Sequence, residues 1–245
     1  MKADTPHSLF LSDLHLAPEQ PATVACFLHL IDETGPVAEA VYLLGDLFEA
    51  WPGDDFLVAE FPAGIVQALR RLSDRGSRLF LVHGNRDFML GSEFCRATGA
   101  TLLPDPSVID LYGQPTLVLH GDSLCTDDLV YQQFRQQVRN PAWQQAVLTK
   151  PLAERLAIAQ QMRLQSESDK GGKSNLIMDV NAEAVAEAFR QSGCRRMIHG
   201  HTHRPARHDL SVDGQACERW VLPDWYDGKG GYLRCDGTGC ALVDY

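Results

Sequence analysis

Five short sets of residues carry side chains of the kind that bind divalent ions. They are Asp13-Leu14-His15, Gly45-Asp46, Gly84-Asn85-Arg86-Asp87, His120-Gly121-Asp122 and Gly200-His201-Thr202-His203. Carboxylate, imidazole and amide oxygen donors suit Mn²⁺, Fe or Zn²⁺, and no cysteine belongs to any set. Four of the five contain a glycine, which lets a backbone turn tightly. Any one set alone reads as a polar cap at the start of a loop. All five in succession, after apolar runs, point to one metal centre.

The elements that would position these sets are legible in the hydrophobic pattern. Short apolar runs at 8–12, 40–44, 78–82, 116–119 and 195–198 each end at one of the sets. Helical spacing covers 22–33 and 56–74. A further strand is expected at 107–111. Asn181 caps a helix that stops at Gly193. Strands with apolar cores between helices predict an α/β or α+β fold, with a sheet covered on both faces. In such sheets ligands bind beyond the carboxyl ends of the strands. The tail has short runs at 206–212, 217–222, 231–235 and 240–243, expected as a meander or an antiparallel sheet edge. His7, His29, His83, His199 and His208 stand outside the pattern.

Residues 127–168 carry no strand signal and read as helices, with Pro141 and Pro151 at helix starts. The stretch 129–175 holds seven Lys or Arg against three Asp or Glu, in a chain of net charge −10. Residues 1–245 thus read as a single domain with a basic helical insertion at about 127–173. The insertion is expected as a lid facing an anionic substrate or membrane surface. Leu148, Leu152, Leu156, Ala159 and Met162 fall on one helical stripe flanked by Arg155 and Arg163. That stripe is either core or one wall of an apolar cleft.

Composition narrows the class. With 44% hydrophobic and 22% charged residues the chain is globular rather than disordered. The acidic balance disfavours general nucleic-acid binding. No apolar run approaches the ~18–20 residues of a membrane span, and the first residues are too polar for a secretory signal. The cysteines at 26, 95, 125, 194, 217, 235 and 240 are odd in number and form no CxxC pair. Free thiols in a reducing compartment are expected. Cys235 and Cys240 could bridge or bind a metal, but buried thiols are the expectation.

Asp-x-His, Gly-Asp, Gly-Asn-x-Asp, His-Gly-Asp and Gly-His-x-His, in this order over residues 8–203, resemble the calcineurin-like metallophosphoesterase superfamily. The resemblance implies a β-sandwich flanked by helices, with a dinuclear centre at the sheet edge. It implies one ion held by Asp13, His15, Asp46 and His203, and a second by Asp46, Asn85, His120 and His201. Two such ions can activate water near neutral pH and clamp the oxygens of an in-line phosphoryl displacement. Phosphoprotein phosphatases of this superfamily carry a histidine acid where this chain has Arg86. A phosphate leaving group has little need of a general acid, whereas arginine stabilises phosphoryl charge. Arg86 therefore favours a phosphoanhydride substrate.

More of the chain is similar to the UDP-2,3-diacylglucosamine diphosphatase family. The further matches include Phe48-Glu49, Phe88, Cys125-Thr126-Asp127-Asp128, Tyr131-Gln132, Phe134-Arg135, Arg204-Pro205 and Asp224-Trp225. Pro223 departs from that family's usual glycine. This resemblance implies Mn²⁺-dependent hydrolysis at the α-phosphorus, giving UMP and 2,3-diacylglucosamine 1-phosphate (lipid X) in lipid A biosynthesis. It implies peripheral attachment to the cytoplasmic face of the inner membrane, an anionic surface, with no protein partner. Asn85, Arg86 and His201 would be catalytic. Substrate contacts would come from Asn85, Arg86, Asp128, Tyr131, Ser166, Lys170, Lys173 and His201. Alternatives remain: a soluble nucleotide pyrophosphatase or phosphodiesterase with the same two-metal site, a nuclease, or a scaffold without catalysis.

Overall fold

Parallel strands with apolar residues on both faces must be covered on both sides, and the computed structural model of the chain has this cover. It describes residues 5–170 and 179–245, with the backbone alone for residues 36 and 165–170. The first part alternates strand and helix: β1 (His7–Leu11), α1 (Pro21–Glu33), β2 (Ala40–Leu44), α2 (Glu60–Asp74), β3 (Arg78–Val82), α3 (Ser92–Thr98) and β4 (Thr101–Leu102). The hairpin β5 (Ser107–Leu111) and β6 (Gln114–Val118) follows. Then come α4 (Leu129–Val138), α5 (Pro141–Leu148), α6 (Leu152–Lys170) and α7 (Ala182–Ser192). The chain closes with β7 (Arg196–His199), β8 (Ala206–Val212), β9 (Gln215–Val221), β10 (Gly231–Asp236) and β11 (Gly239–Asp244).

Two sheets result. One is six-stranded, in the order β11-β10-β1-β2-β3-β4; the other is five-stranded, in the order β5-β6-β7-β9-β8. The alternation along β1, β2 and β3 sorts side chains between layers. Leu9, Leu11, Val41, Leu43, Leu79 and Leu81 face α1–α3. Phe10, Tyr42 and Val82 face the second sheet and meet Val118, Ile198 and Trp220 there. The outer face of the second sheet packs Leu117 and Met197 on Val185 and Phe189 of α7. The order is helices, sheet, sheet, helix, which is the expected flanked sandwich. Strand pairing carries the ends of β1, β2, β3, β6 and β7 to one rim.

Three features depart from expectation. The tail does not form one meander. β8 and β9 join the second sheet, while β10 pairs antiparallel with β1 in the first. The switch lies at 222–230, where Leu222 N–H bonds His199 O and Trp225 N–H bonds Asp13 O. Next, α3 and β4 have no clear local signal. The α3 N-terminus is capped from outside, because Asp54 accepts the Glu93 and Phe94 N–H groups while Gly91 stands at the cap position. Finally, Cys235 and Cys240 are disulfide-bonded, correcting the expectation of thiols at this pair. The β10–β11 register sets them directly opposite, with Cα atoms 4.1 Å apart. The other five cysteines form no disulfide.

The rings of Phe10, Tyr42 and Phe80 stack across β1, β2 and β3, with centroids 4.5 and 4.7 Å apart. Phe10 is fully buried. Phe10→Ala removes the end of this stack between the sheets and should destabilise the fold by about 3–5 kcal/mol. Urea unfolding monitored by circular dichroism measures it.

Candidate metal centre

The loops after β1 and β2 extend the parallel pairing beyond the strands. Asp13 N–H bonds Gly45 O at 3.1 Å, His15 N–H bonds Asp46 O at 2.9 Å, and Leu16 N–H bonds Leu47 O at 3.0 Å. On the second sheet Gly200 N–H bonds His120 O at 2.8 Å. One of the contacts that tie the two rims is His201 N–H donating to Asp13 Oδ2 at 2.7 Å. Close approach dictates two of the glycines. A Cβ on Gly84 would collide with the Asp46 carboxylate, and one on Gly200 with Ser12 Oγ and Asp13 Oδ2.

Asp13, His15, Asp46, His201 and His203 all adopt positive φ, between 49° and 68°. Non-glycine residues rarely occupy that region, at a cost of order 1–3 kcal/mol each. In each case the turn carries the side chain back over the rim. His203 Nε2 comes to 3.3 Å from Asp13 Oδ1. His15 Nε2 lies 3.9 Å from Asp13 Oδ1 and 3.8 Å from Asp46 Oδ2. His120 Nε2 lies 3.7 Å from Asp46 Oδ2 and 3.0 Å from Asn85 Oδ1. The His201 ring packs against His120, centroids 5.0 Å apart. Asp13, His15 and His203 form one group able to hold a cation, and Asp13, Asp46 and His120 a second.

The donors fit a pair of divalent ions. Asp13 Oδ1 and both ring nitrogens of His15 are buried and lack a hydrogen-bond partner, a costly state that a cation bound between Asp13 Oδ1 and His15 Nε2 relieves in part. Histidine ligands are oriented through their other nitrogen. His120 Nδ1 bonds Leu44 O at 2.9 Å, and His203 Nδ1 faces Asp224 Oδ2 at 3.2 Å. His15 Nδ1 faces Glu49 Oε2 at 3.0 Å. Electrostatics agree. Burial disfavours the His120 imidazolium, but Asp46, Asp13 and Asp122 outweigh it and hold it up at about 9. Burial likewise opposes the His203 imidazolium, but Asp13 and Asp224 push it up to about 10. Burial, aided by His120, takes His201 down to about 3, so its ring is neutral at pH 7.

Supporting residues carry weaker sequence signals. Asp87 is fully buried and accepts N–H bonds from Gly84 and Leu47 at 2.9 and 2.8 Å, shaping both loops. Asp122 accepts from Tyr131 Oη at 2.6 Å and Arg135 Nε at 2.8 Å. The Tyr131 ring in turn stacks on His201. Asp87 and Asp122 lie inside the polar sets, and Glu49 and Asp224 inside matched motifs, yet nothing in their spacing reveals these partners.

A cavity of about 800 Å³ opens from this rim. Asp46, Asn85, Arg86 and His201 lie at its polar end, and Asp128 and Tyr131 also line it. Trp51, Phe88, Trp143, Val147, Ile158 and Met162 give it apolar walls. Asp128 caps α4, accepting Tyr131 N–H at 3.1 Å. Ser166 and Lys170 are on α6, but their side chains lie outside those described; Lys173 lies outside the described residues. The expected stripe on the insertion is only partly on this wall. Ala159 and Met162 line the cavity, whereas Leu148 and Leu156 are exposed.

The basic side chains flanking that stripe are docking contacts. Arg155 is buried and bonds the Asp55 carboxylate and Pro52 O. Arg139 bonds Gly84 O at 2.9 Å, Arg135 bonds Asp105 and Asp122, and Arg163 Nε reaches Glu49 Oε1 at 3.2 Å. Much of the insertion's positive charge therefore holds it to the acidic body.

Imidazoliums at about 9 and about 10 are protonated at pH 7 and must lose that proton to bind a cation. Calorimetry of Mn²⁺ binding at pH 7, in buffers of differing ionisation enthalpy, should show release of about two protons per protein. Affinity should fall as pH drops. Asp46→Ala should lose both ions, as read by elemental analysis of the purified protein.

The calcineurin-like phosphoesterase family profile matches residues 7–205. UDP-2,3-diacylglucosamine hydrolase of Pseudomonas paraeruginosa (strain DSM 24068 / PA7) is 51% identical over 231 residues, covering 94% of this chain and 95% of the relative. The protein of the same name from Stenotrophomonas maltophilia (strain K279a) is 48% identical over 244 residues, covering 96% and 97%. A solved archaeal phosphodiesterase aligns over 98% of this chain and 99% of its own at 12% identity, with a TM-score of 0.48. With the family profile covering most of its length and relatives near half identity, the chain belongs to the calcineurin-like phosphoesterase family.

Proposed function

We propose that the protein hydrolyses UDP-2,3-diacylglucosamine at the α-phosphorus, releasing UMP and 2,3-diacylglucosamine 1-phosphate, with two Mn²⁺ bound. The observation that carries this reading is the single cavity that joins a polar, cation-binding rim to an apolar chamber under α5 and α6. A nucleotide-linked lipid has the same division along its length. The names of the relatives favour the same substrate.

Asp13, His15, Asp46 and His203 would hold one ion, and Asp46, Asn85, His120 and His201 the other, with Asp46 shared. The ions would supply an activated water and charge for the phosphoryl oxygens. The chain's own residues do the rest. Arg86 N–H bonds Asp46 Oδ1 at 2.8 Å, so its backbone is fixed to the shared ligand while its side chain reaches the cavity. Its guanidinium stabilises charge that grows on the phosphoryl group. The leaving group is a phosphate, so no protein acid has to protonate it. The apolar walls take the acyl chains, each buried CH₂ being worth about 0.8 kcal/mol. Asp128, Tyr131, Ser166, Lys170 and Lys173 are the remaining substrate contacts in this reading.

Among the described residues no helix is long and apolar enough to cross a membrane. Leu129, Val130, Leu148, Leu156 and Leu164 are nevertheless exposed on α4–α6. Peripheral attachment to the inner membrane by this face would bring the cavity to a bilayer-held substrate.

The test is Mn²⁺-dependent turnover of UDP-2,3-diacylglucosamine in mixed micelles, with UDP-N-acetylglucosamine alongside and products read by mass spectrometry. UMP and the lipid monophosphate should form from the acylated substrate alone. Cleavage of only the soluble nucleotide would replace this reading with a nucleotide pyrophosphatase. Arg86→Ala should lower kcat by about 10²–10³-fold with Mn²⁺ content unchanged.

A further inference from the structure

Glu49 lies between three parts of the site. Its Oε2 is 3.0 Å from His15 Nδ1. Its Oε1 is 3.2 Å from Arg163 Nε on α6 and 3.8 Å from Arg86 Nη1. The carboxylate is only 14% exposed, so water competes weakly for it. Its backbone N–H bonds Leu16 O at 3.2 Å, which pins the residue to the loop that carries His15. The two oxygens thus serve different partners: one a candidate metal ligand, the other two guanidiniums from different elements.

We propose that Glu49 is a positioning residue that couples the docking of α6 to the orientation of His15 and Arg86. The inference rests on the dinuclear, phosphoanhydride-cleaving reading of the site. A carboxylate 3.0 Å from Nδ1 favours the proton on that nitrogen and leaves Nε2, which faces Asp13 and Asp46, with the lone pair. The shared Oε1 sets how closely two like charges approach. With Arg163 docked, Glu49 divides its attraction between both arginines, and Arg86 is held loosely enough to turn toward a phosphoryl oxygen. With α6 displaced, Arg86 becomes the sole guanidinium partner and is drawn away from the substrate.

Three variants separate the two roles. Glu49→Gln keeps an acceptor toward His15 but removes the charge, Glu49→Ala removes both, and Arg163→Ala removes the Arg163–Glu49 ion pair while leaving Glu49 charged. Mn²⁺ affinity is read by calorimetry, and kcat on bis(p-nitrophenyl) phosphate, a diester that needs no lipid recognition. Glu49→Ala should weaken the binding of one Mn²⁺ by about 10–100-fold, while Glu49→Gln and Arg163→Ala stay within about threefold of wild type. Glu49→Gln and Arg163→Ala should each lower kcat, with the double variant no worse than the more affected single one. Wild-type Mn²⁺ affinity in Glu49→Ala, or independent kcat losses that multiply in the double variant, would overturn the proposal. If Glu49→Ala does not fold, the Glu49→Gln and Arg163→Ala cycle decides alone. A wild-type protein that cleaves the diester but not UDP-2,3-diacylglucosamine would refute the substrate reading while leaving both arms of this test in force.

Discussion

The carboxylate of Asp13 joins the rims of the two sheets, beside the bond from His120 to Leu44 O. One oxygen accepts the His201 N–H from the second sheet, and the other faces His203 with no hydrogen bond of its own. The Asp13 backbone meanwhile bonds Gly45 and Trp225. A buried carboxylate with an unpartnered oxygen is destabilising in a bare protein. So are five left-handed non-glycine residues on one rim. Both liabilities have the same remedy, a cation shared by the loops. The loop geometry, the glycines at the close approaches and the buried acids around them therefore follow from the need to present anionic and imidazole donors to a common point.

How the sequence encodes this differs between levels. The apolar runs of β1–β3 and the Asn181 and Gly193 stops of α7 are local properties, and they read correctly because propensity, capping and burial agree there. The residues of the rim were also legible, since motif order survives without knowledge of the fold. What could not be read depends on contacts remote in sequence. α3 takes its cap from Asp54 and the tail divides where Trp225 bonds Asp13; Cys235 and Cys240, five residues apart, are the local exception, set opposite each other by the β10–β11 register. Glu49 belongs with the remote cases. Its place in a matched motif gives no hint that it faces His15 on one side and an insertion arginine on the other.

The insertion shows that a charge count leaves the partner of each charge open. Its arginines suggested a face turned to an anion in solution or on a membrane. Arg135, Arg155 and Arg163 instead pair with Asp105, Asp122, Asp55 and Glu49 of the acidic body. Partly buried contacts of this kind are screened less by salt than free surface charges. The basic insertion and the acidic remainder are complementary halves of one electrostatic interface, which places α5 and α6 over the rim. The proposed membrane attachment would then rest more on the exposed leucines of α4–α6 than on these arginines.

The position of that interface also bears on the chemistry. Apolar walls such as Trp51, Phe88 and Ile158 are lined up beside donors that would hold cations. Left facing water, such walls forgo about 25 cal/mol for each Å² of apolar surface. A soluble nucleotide would cover the polar end and leave most of them wet. The proposed acylated substrate would cover both ends, and by excluding water it would lower the local dielectric around Arg86 and the buried carboxylates. Charge interactions in such a site strengthen. In the proposed function the apolar chamber and the phosphoryl site would then be coupled: the binding that recognises the lipid would make the electrostatic stabilisation of the reacting group more effective.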